Sequence, residues 1–129
     1  PTIDTPASIL GKELKDKAST LTLNVRGGQQ GSDQPFVTAL VEGGTGGLQE
    51  IKLLEPGTSR RPLLEVLKKL RKGDPAHGVP ENRNFAVIVH GDKDMAYRFL
   101  EPVLITCAEA GIQKLDFETK KATAEVPAR

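Results

Sequence analysis

Residues 84–119, NFAVIVHGDKDMAYRFLEPVLITCAEAGIQKLDFET, contain the strongest structural signals in the sequence. They begin with an unbroken apolar run, Phe85 to Val89, which is typical of a central strand buried on both faces. A polar turn follows, in which Asp94 is the residue best placed to cap a helix. Apolar residues then recur at helical spacing as far as Gly111, and residues 114–119 alternate like a strand. The stretch therefore predicts two strands in one sheet, with a helix packed across a face.

The predicted helix of this stretch runs from about Met95 to Ala110. Pro102 has no amide hydrogen to donate to the carbonyl of Arg98, so we expect a kink there. In the closing strand the alternation directs Leu115 and Phe117 toward the core. The apolar face of the helix is formed by Ala96, Phe99, Leu100, Val103 and Cys107, and is widened by Leu104 and Ala108.

Extended segments also occur earlier in the chain. Thr20 to Val25 alternates apolar and polar residues, which predicts a half-buried strand. The runs Phe36 to Val41 and Leu48 to Leu54 flank six residues, four of which are glycines. Because glycine allows the positive φ angles of tight reversals, these runs predict a hairpin over about residues 35–54. We expect it to be an insertion, with one or both of its strands projecting from the main sheet.

A second amphipathic helix is predicted before the loop of residues 73–83. Thr58 or Ser59 can cap it, Pro62 is tolerated in its first turn, and Gly73 can end it. The proline-rich loop that follows carries no expected core residue. The apolar positions of the helix are Leu63, Val66, Leu67 and Leu70.

The length of the chain, 129 residues, predicts one domain. We place it at residues 20–119, between a flexible tether or frayed short helix (1–19) and a tail (120–129). The tether is expected because charges alternate there without a sustained apolar stripe. The predicted fold is α+β, a two-layer sandwich whose mixed sheet of about four or five strands carries two helices on one face.

Composition argues against several classes of function. The formal net charge is +1 and the aromatic residues are four Phe and one Tyr, so nucleic acid is not an expected partner. Cys107 is the single cysteine, which excludes a disulfide within the chain and a zinc site with two thiolates. The chain begins at Pro1, and we interpret it as a fragment or processed product from which a membrane or targeting segment has been removed.

The polar turn after Val89 also resembles the loop that carries the acidic triad member of α/β-hydrolases. A hydrolase would need a G-x-S-x-G nucleophile turn and a histidine after Asp94, and the sequence has neither. The two histidines, His77 and His90, have no second ligand at metal-binding spacing and are interpreted as exposed loop residues. Cys107 is expected to be a buried, inert thiol. We therefore expect no catalytic residue, no metal and no cofactor, and a protein that is not an enzyme.

Two pairs of charged residues each have more than one interpretation. Asp92 and Asp94 could hold a cation, although capping of the helix accounts for both. Arg60 and Arg61 precede a helix, where the helix dipole does not favour cations, so they are either solvated or bind a partner's carboxylate or phosphate.

Within residues 84–119, the pattern VIVHGDKDMAY, then FLEPVL, then AEAGIQKLDFET resembles the periplasmic domain of the ExbD/TolR biopolymer-transport family. In that family a strand leads through an aspartate to a tyrosine that opens the second helix, and a Gly-Ile pair precedes the last strand. Asp92, Tyr97, Gly111 and Ile112 take those places here. Asp92 and Tyr97 from the resemblance, together with the predicted cap Asp94, are the candidates for partner contact or helix capping.

The resemblance implies a subunit of a complex driven by the proton-motive force. The intact protein would be an inner-membrane protein of which this chain is the periplasmic domain, beside an ExbB/TolQ-like membrane subunit and a TonB/TolA-like transducer. A homodimer and a contact with the cell wall are further implications. The family's transmembrane helix is absent from this sequence, residues 26–57 are longer than the family's usual link, and Pro102 interrupts a helix that is normally smooth. A stand-alone adaptor or ligand-binding α/β domain without a transport role is the alternative.

Overall fold

The computed structural model describes residues 5–16, 20–27, 34–42, 47–77, 79, 81–82, 85–92 and 97–120. Within them the chain forms three α-helices, α1 (Pro6–Asp16), α2 (Pro62–Lys72) and α3 (Tyr97–Glu109), and a short 3-10 helix, Pro75–His77. None of these helices has the length and apolar character needed to cross a membrane. The strands are β1 (Thr20–Arg26), β2 (Phe36–Val41), β3 (Gln49–Glu50), β4 (Ala86–Asp92) and β5 (Lys114–Lys120).

The strands form one five-stranded sheet in the order β3-β2-β1-β4-β5. β2 is antiparallel to both β1 and β3, whereas β1 is parallel to β4 and β4 is parallel to β5. The sheet is therefore mixed, and the α+β class predicted from the sequence is confirmed. The sequence predicted two helices, and α1 is an additional one.

Every second residue of the inner strands β2, β1 and β4 is buried. Leu23 of β1 lies in register with Ala39 of β2 and Val89 of β4, and all three are fully buried. The residues between them, such as Thr22 and Asn24, are only half-buried. The buried row and the three helices share one hydrophobic cluster, whose helical members include Leu10, Leu14, Leu63, Leu67, Leu70, Leu100, Val103 and Cys107.

Helix α1 lies within residues 1–19, for which the sequence predicted a flexible tether or a frayed short helix. Thr5 Oγ1 accepts a hydrogen bond from the Ser8 amide at 3.1 Å, and Ser8 Oγ accepts one from the Thr5 amide at 2.9 Å. This reciprocal capping starts the helix, and Pro6 occupies the first position, where proline is tolerated. Of the two states that the sequence left open, the structure has a helix at residues 6–16, because a short apolar stripe lies among the charges and is buried: Ala7, Leu10 and Leu14.

The hairpin predicted over residues 35–54 is present, but it belongs to the main sheet and does not project from it. Every residue of β2 is paired with β1, whereas β3 pairs with β2 only through Gln49 and Glu50. The second strand is therefore much shorter than the predicted run. Beyond it the Ile51 amide donates to the Val37 carbonyl at 3.0 Å, and the Lys52 carbonyl accepts from the Leu63 amide at 3.0 Å. These two bonds direct the chain toward the start of α2.

Helix α2 begins at Pro62 without a side-chain cap, since Arg61 makes no capping hydrogen bond. Thr58, one of the predicted caps, instead stabilises the preceding turn, where its Oγ1 accepts a hydrogen bond from the Arg60 amide at 3.1 Å. Gly73 follows the helix as predicted, with a φ angle of 90° that favours glycine. The predicted apolar stripe is largely confirmed, because Leu63, Leu67 and Leu70 are buried.

The predicted strand, helix and strand are present as β4, α3 and β5, and the two strands are adjacent and parallel. On β4, Val89 is fully buried whereas Ile88 is half-buried, so this interior strand is not equally buried on both faces. Phe117 was predicted to face the core but is 43% exposed, because β5 lies at the edge of the sheet. Gly111 follows α3 with a positive φ of 85°, as predicted. The kink at Pro102 stays a prediction.

Candidate functional site

The three residues predicted as partner contacts or caps lie around the connection from β4 to α3. Asp92 is the last residue of β4, where it pairs in register with Lys120; its side chain is outside the described part of the structure. Asp94 lies outside the described residues, so its role as a cap stays a prediction. Tyr97 is the first residue of α3 and is 60% exposed. Of the three, Tyr97 is the residue whose side chain is described, and it is exposed to solvent.

His90 was interpreted as an exposed loop residue, but it lies on β4 and its side chain is only 19% exposed. Its Nε2 is 3.2 Å from Glu118 Oε1 on the neighbouring strand β5. His77 lies in the 3-10 helix, and its side chain is not described. Among the described residues, no group of three or more His, Cys, Asp or Glu side chains is arranged to hold a metal ion.

Cys107 lies on α3 in the hydrophobic cluster and is fully buried. Burial raises the pKa of its thiol to about 12, because the thiolate would lose its hydration there. A thiol with this pKa carries almost no thiolate at neutral pH, which is the reactive form. The structure therefore agrees with the interpretation of Cys107 as an inert core residue.

Arg60 and Arg61 are both paired with carboxylates of their own chain. The Nη1 and Nη2 atoms of Arg60 lie 3.1 Å from Glu55 Oε1 and 2.9 Å from Glu65 Oε1. Arg61 Nη2 donates to the Glu109 carboxylate and lies 3.5 Å from Thr106 Oγ1. The hydrogen bond from Arg61 holds the pKa of Glu109 below its usual range. The second pair thus joins the residue before α2 to the last residue of α3.

A groove beside Leu53 and Leu54 lies near these charges. It consists of two cavities of about 370 and 380 Å³, and both are lined by Gln34, Leu53 and Leu54. We call the first the strand-side cavity; its other lining residues are Pro35, Phe36, Val37, Glu50, Ile51, Lys52 and Pro56. We call the second the helix-side cavity, because α3 forms much of it; its other lining residues are Arg61, Glu101, Pro102, Ile105 and Thr106.

Large apolar side chains are exposed at the helix-side cavity. Leu54 is 41% exposed and Ile105 is 49% exposed, and the cavity lies between them. Single exposed hydrophobic residues are common on proteins and need no explanation. Here two of them face one concave surface together with Leu53 and Pro102, which is typical of a contact that is completed by another molecule. Tyr97 and Phe117, by contrast, are exposed without lining either cavity.

The charges around the helix-side cavity are unequal. The Arg61 guanidinium is neutralised by Glu109. Glu101 is exposed, and within the described part of the chain it forms no hydrogen bond or ion pair. The uncompensated charge on the lining of this cavity is therefore negative.

The sequence did not predict this groove. Leu53 and Leu54 were assigned to a strand, and the actual strand ends at Glu50. One local signal was present, because Ile105 is an apolar residue that falls outside the apolar face predicted for the helix. A large aliphatic residue on the polar side of an amphipathic helix indicates a second contact surface.

No protein-family model matches the chain, and no match was found among the curated proteins.

Proposed function

We propose that the chain is a protein-binding domain of the ExbD/TolR type, which acts through contacts with other subunits. In this proposal it is the periplasmic domain of an inner-membrane subunit in a complex driven by the proton-motive force. Its partners are an ExbB/TolQ-like membrane subunit and a TonB/TolA-like transducer, and a homodimer and a cell-wall contact belong to the same proposal. The observation that carries protein binding is the groove with exposed Leu54 and Ile105 on its helix side.

The arrangement of β4, α3 and β5 supports the family part of the proposal. The family pattern consists of a strand, a helix that begins near a tyrosine, and a closing strand preceded by Gly-Ile. In the structure Tyr97 opens α3, and Gly111 and Ile112 precede β5. The first strand and the first helix of the resemblance have their counterparts in β1 and α2.

A photo-crosslinking residue at position 105, in the protein expressed in its own cells, tests the proposal. We expect crosslinks to a transducer anchored in the membrane, and the same residue at position 48 serves as a control because Leu48 is 60% exposed and lines neither cavity. An absence of crosslinks at position 105, and also at positions 48, 97 and 117, would contradict protein binding. The gene sequence upstream of Pro1 tests the transport part, which requires an apolar segment of about 20 residues with an embedded aspartate.

The alternative, a stand-alone adaptor or ligand-binding domain, is favoured by the size of the helix-side cavity. Its volume of about 380 Å³ falls in the range of small-molecule pockets, about 300 to 1,000 Å³. A small-molecule fragment that raises the melting temperature of the unmodified chain, but not that of Ile105→Asp, would support this alternative. An enzymatic role is not part of either proposal, and a hydrolase or phosphatase turnover that Asp92→Ala abolishes would overturn that view.

A further inference from the structure

We propose that the helix-side cavity binds an apolar side chain of a partner segment that carries a lysine or arginine next to it. The inference rests on the proposed protein-binding function and specifies its partner. The apolar side chain would enter between Leu54 and Ile105, and the cation would lie beside Glu101.

The apolar part follows from the walls of the cavity. Leu53 and Pro102 form them together with the two exposed residues Leu54 and Ile105. A polar side chain placed there would lose water without gaining hydrogen bonds from these four residues. An aliphatic or aromatic side chain would instead remove apolar surface from water on both partners.

The sign of the neighbouring charge follows from the two acidic residues of α3. Glu109 already neutralises the Arg61 guanidinium through Nη2, so the remaining donors of Arg61 offer an anionic ligand little net charge attraction. The same ligand would also approach Glu101, which forms no hydrogen bond or ion pair with a described residue. A cationic ligand meets neither obstacle and gains an ion pair with Glu101. In the strand-side cavity Glu50 and Lys52 provide one charge of each sign, so that cavity selects neither.

A strand cannot be added through the Ile51 amide or the Lys52 carbonyl, which lie just before Leu53 and Leu54 of the helix-side cavity. The Ile51 amide and the Lys52 carbonyl are already bonded to Val37 and Leu63. They are not available to pair with an incoming backbone, as strand addition would require. In this proposal the apolar anchor and the adjacent charge provide the specificity.

Three short acetylated, amidated peptides test the proposal with the isotope-labelled chain. They share a Gly/Ser framework and contain Leu-Lys, Leu-Glu or Ser-Lys at the centre. We expect the Leu-Lys peptide to shift the amide resonances of Leu54 and Ile105, and to bind about two- to fivefold more tightly than the Leu-Glu peptide, as exposed ion pairs allow. The Ser-Lys peptide is expected to bind still more weakly.

Two variants sharpen this experiment. Glu101→Lys changes an exposed, unpaired residue, and we expect it to reverse the preference so that the Leu-Glu peptide binds more tightly. Ile105→Asp should abolish the shifts at Leu54 for all three peptides. Phe117→Asp is the matched control, because Phe117 is equally exposed but lies on β5 away from both cavities; it should bind like the unmodified chain.

Several outcomes would overturn the proposal. Equal affinity for Leu-Lys and Leu-Glu peptides, or no shift at millimolar peptide, would exclude the predicted partner chemistry. Shifts that depend on protein concentration alone would identify a second copy as the occupant. A further outcome is that Ile105→Asp changes the resonances of residues 28–33 when no peptide is present. That result would identify this segment of the chain itself as the occupant of the cavity. If crosslinks to a partner form at Tyr97 or Phe117 but not at position 105, protein binding stands and this inference fails.

Discussion

Gly11 of α1 lies against Val79, so closely that a Cβ atom on Gly11 would stand 2.8 Å from Val79 Cγ1. Val79 is buried, although the sequence predicted no core residue in its loop. The helix taken for a tether and the loop taken for a surface connection are thus packed together. We expect Gly11→Ala to destabilise the fold: overpacking costs about 1 to 3 kcal/mol, and the gain in helix propensity offsets only about 1 kcal/mol.

Urea unfolding of Gly11→Ala, Val79→Ala and the double variant checks this contact. If the contact is the cause, Val79→Ala should relieve part of the loss due to Gly11→Ala, so that the two changes are not additive. A Gly11→Ala variant more stable than the unmodified chain would contradict it.

The role of α1 in the core predicts a large effect of truncating its buried leucine. Leu10 is fully buried, and Leu10→Ala should lower the free energy of unfolding by about 2 to 5 kcal/mol. Leu48, which is 60% exposed, provides the matched control, since Leu48→Ala should change stability by less than about 0.5 kcal/mol. Equal effects in urea unfolding would mean that residues 6–16 behave as a tether in solution.

Two glycines with positive φ angles differ in what an added Cβ atom would meet, and Gly73 also has a ψ of 160°, in a region essentially restricted to glycine. Gly57 and Gly73 have φ angles of 78° and 90°, but only at Gly73 would a Cβ atom meet backbone, 2.9 Å from the Glu81 amide nitrogen. We expect Gly57→Ala to cost about 1 kcal/mol from the left-handed conformation alone, and Gly73→Ala to cost clearly more. Thermal unfolding of both variants measures the difference, and a Gly73→Ala variant no less stable than Gly57→Ala would show that residues 79–82 can move aside.

The ion pair between Arg61 and Glu109 predicts a loss of stability in acid. Because the hydrogen bond from Arg61 lowers the pKa of Glu109 in the folded state, this group stabilises the fold above its usual pKa of 4.5. The contribution is lost as the pH falls through the lowered pKa. Glu109→Gln and Arg61→Gln should therefore both be less stable than the unmodified chain at neutral pH. On acidification, their free energy of unfolding should fall by less than that of the unmodified chain.

Both side chains of this pair are partly exposed, so salt should weaken the effect. Urea unfolding from pH 7 to pH 2, at low and high salt, gives the comparison. A pH dependence that is identical in the variants and the unmodified chain would show that the pair does not persist in solution.

The burial of Cys107 predicts a thiol that reacts only after unfolding. Its pKa of about 12, raised by burial from 9.0, means that the neutral thiol stabilises the fold below pH 9 and that this contribution is lost as the pH rises toward 12. A thiol-reactive disulfide reagent at pH 8 should label the native chain slowly and the chain in urea at the rate of a free cysteine. Rapid native labelling would place Cys107 at the surface.

The parts of the fold that the sequence predicted well have strong local patterns. β1 alternates apolar and polar residues, and the run before His90 is apolar without interruption, so neither strand depends on distant contacts for its assignment. The start of α1 also had a local signal, Thr5 followed by Pro6, but its apolar stripe is short and the alternating charges dominated the interpretation. Phe117 fits the period of its strand, and only the position of β5 at the edge of the sheet explains its exposure.

Most of the candidate site could not be predicted from local sequence patterns. Arg61 and Glu109 are neighbours because α2 and α3 both contribute to the same core, and the sequence shows only two arginines before a helix. The groove arises for the same reason, since Leu54 and Ile105 come from segments that meet only in the folded chain. Pairings of this kind depend on the packing of helices and strands, which periodicity alone does not specify.

The position of β1 at the centre of the sheet has a consequence for the way the chain folds. Its neighbour β2 follows soon after it, whereas its other neighbour, β4, comes only after α2, and their register joins Thr20 to Ala86. Closing so long a loop is entropically slower than forming a hairpin. During synthesis, therefore, the hairpin of β1 and β2 can form early, but β1 keeps an open edge until residue 92 has left the ribosome. The last third of the chain then completes the sheet, so a protein truncated before β4 would expose an unpaired apolar strand and tend to aggregate.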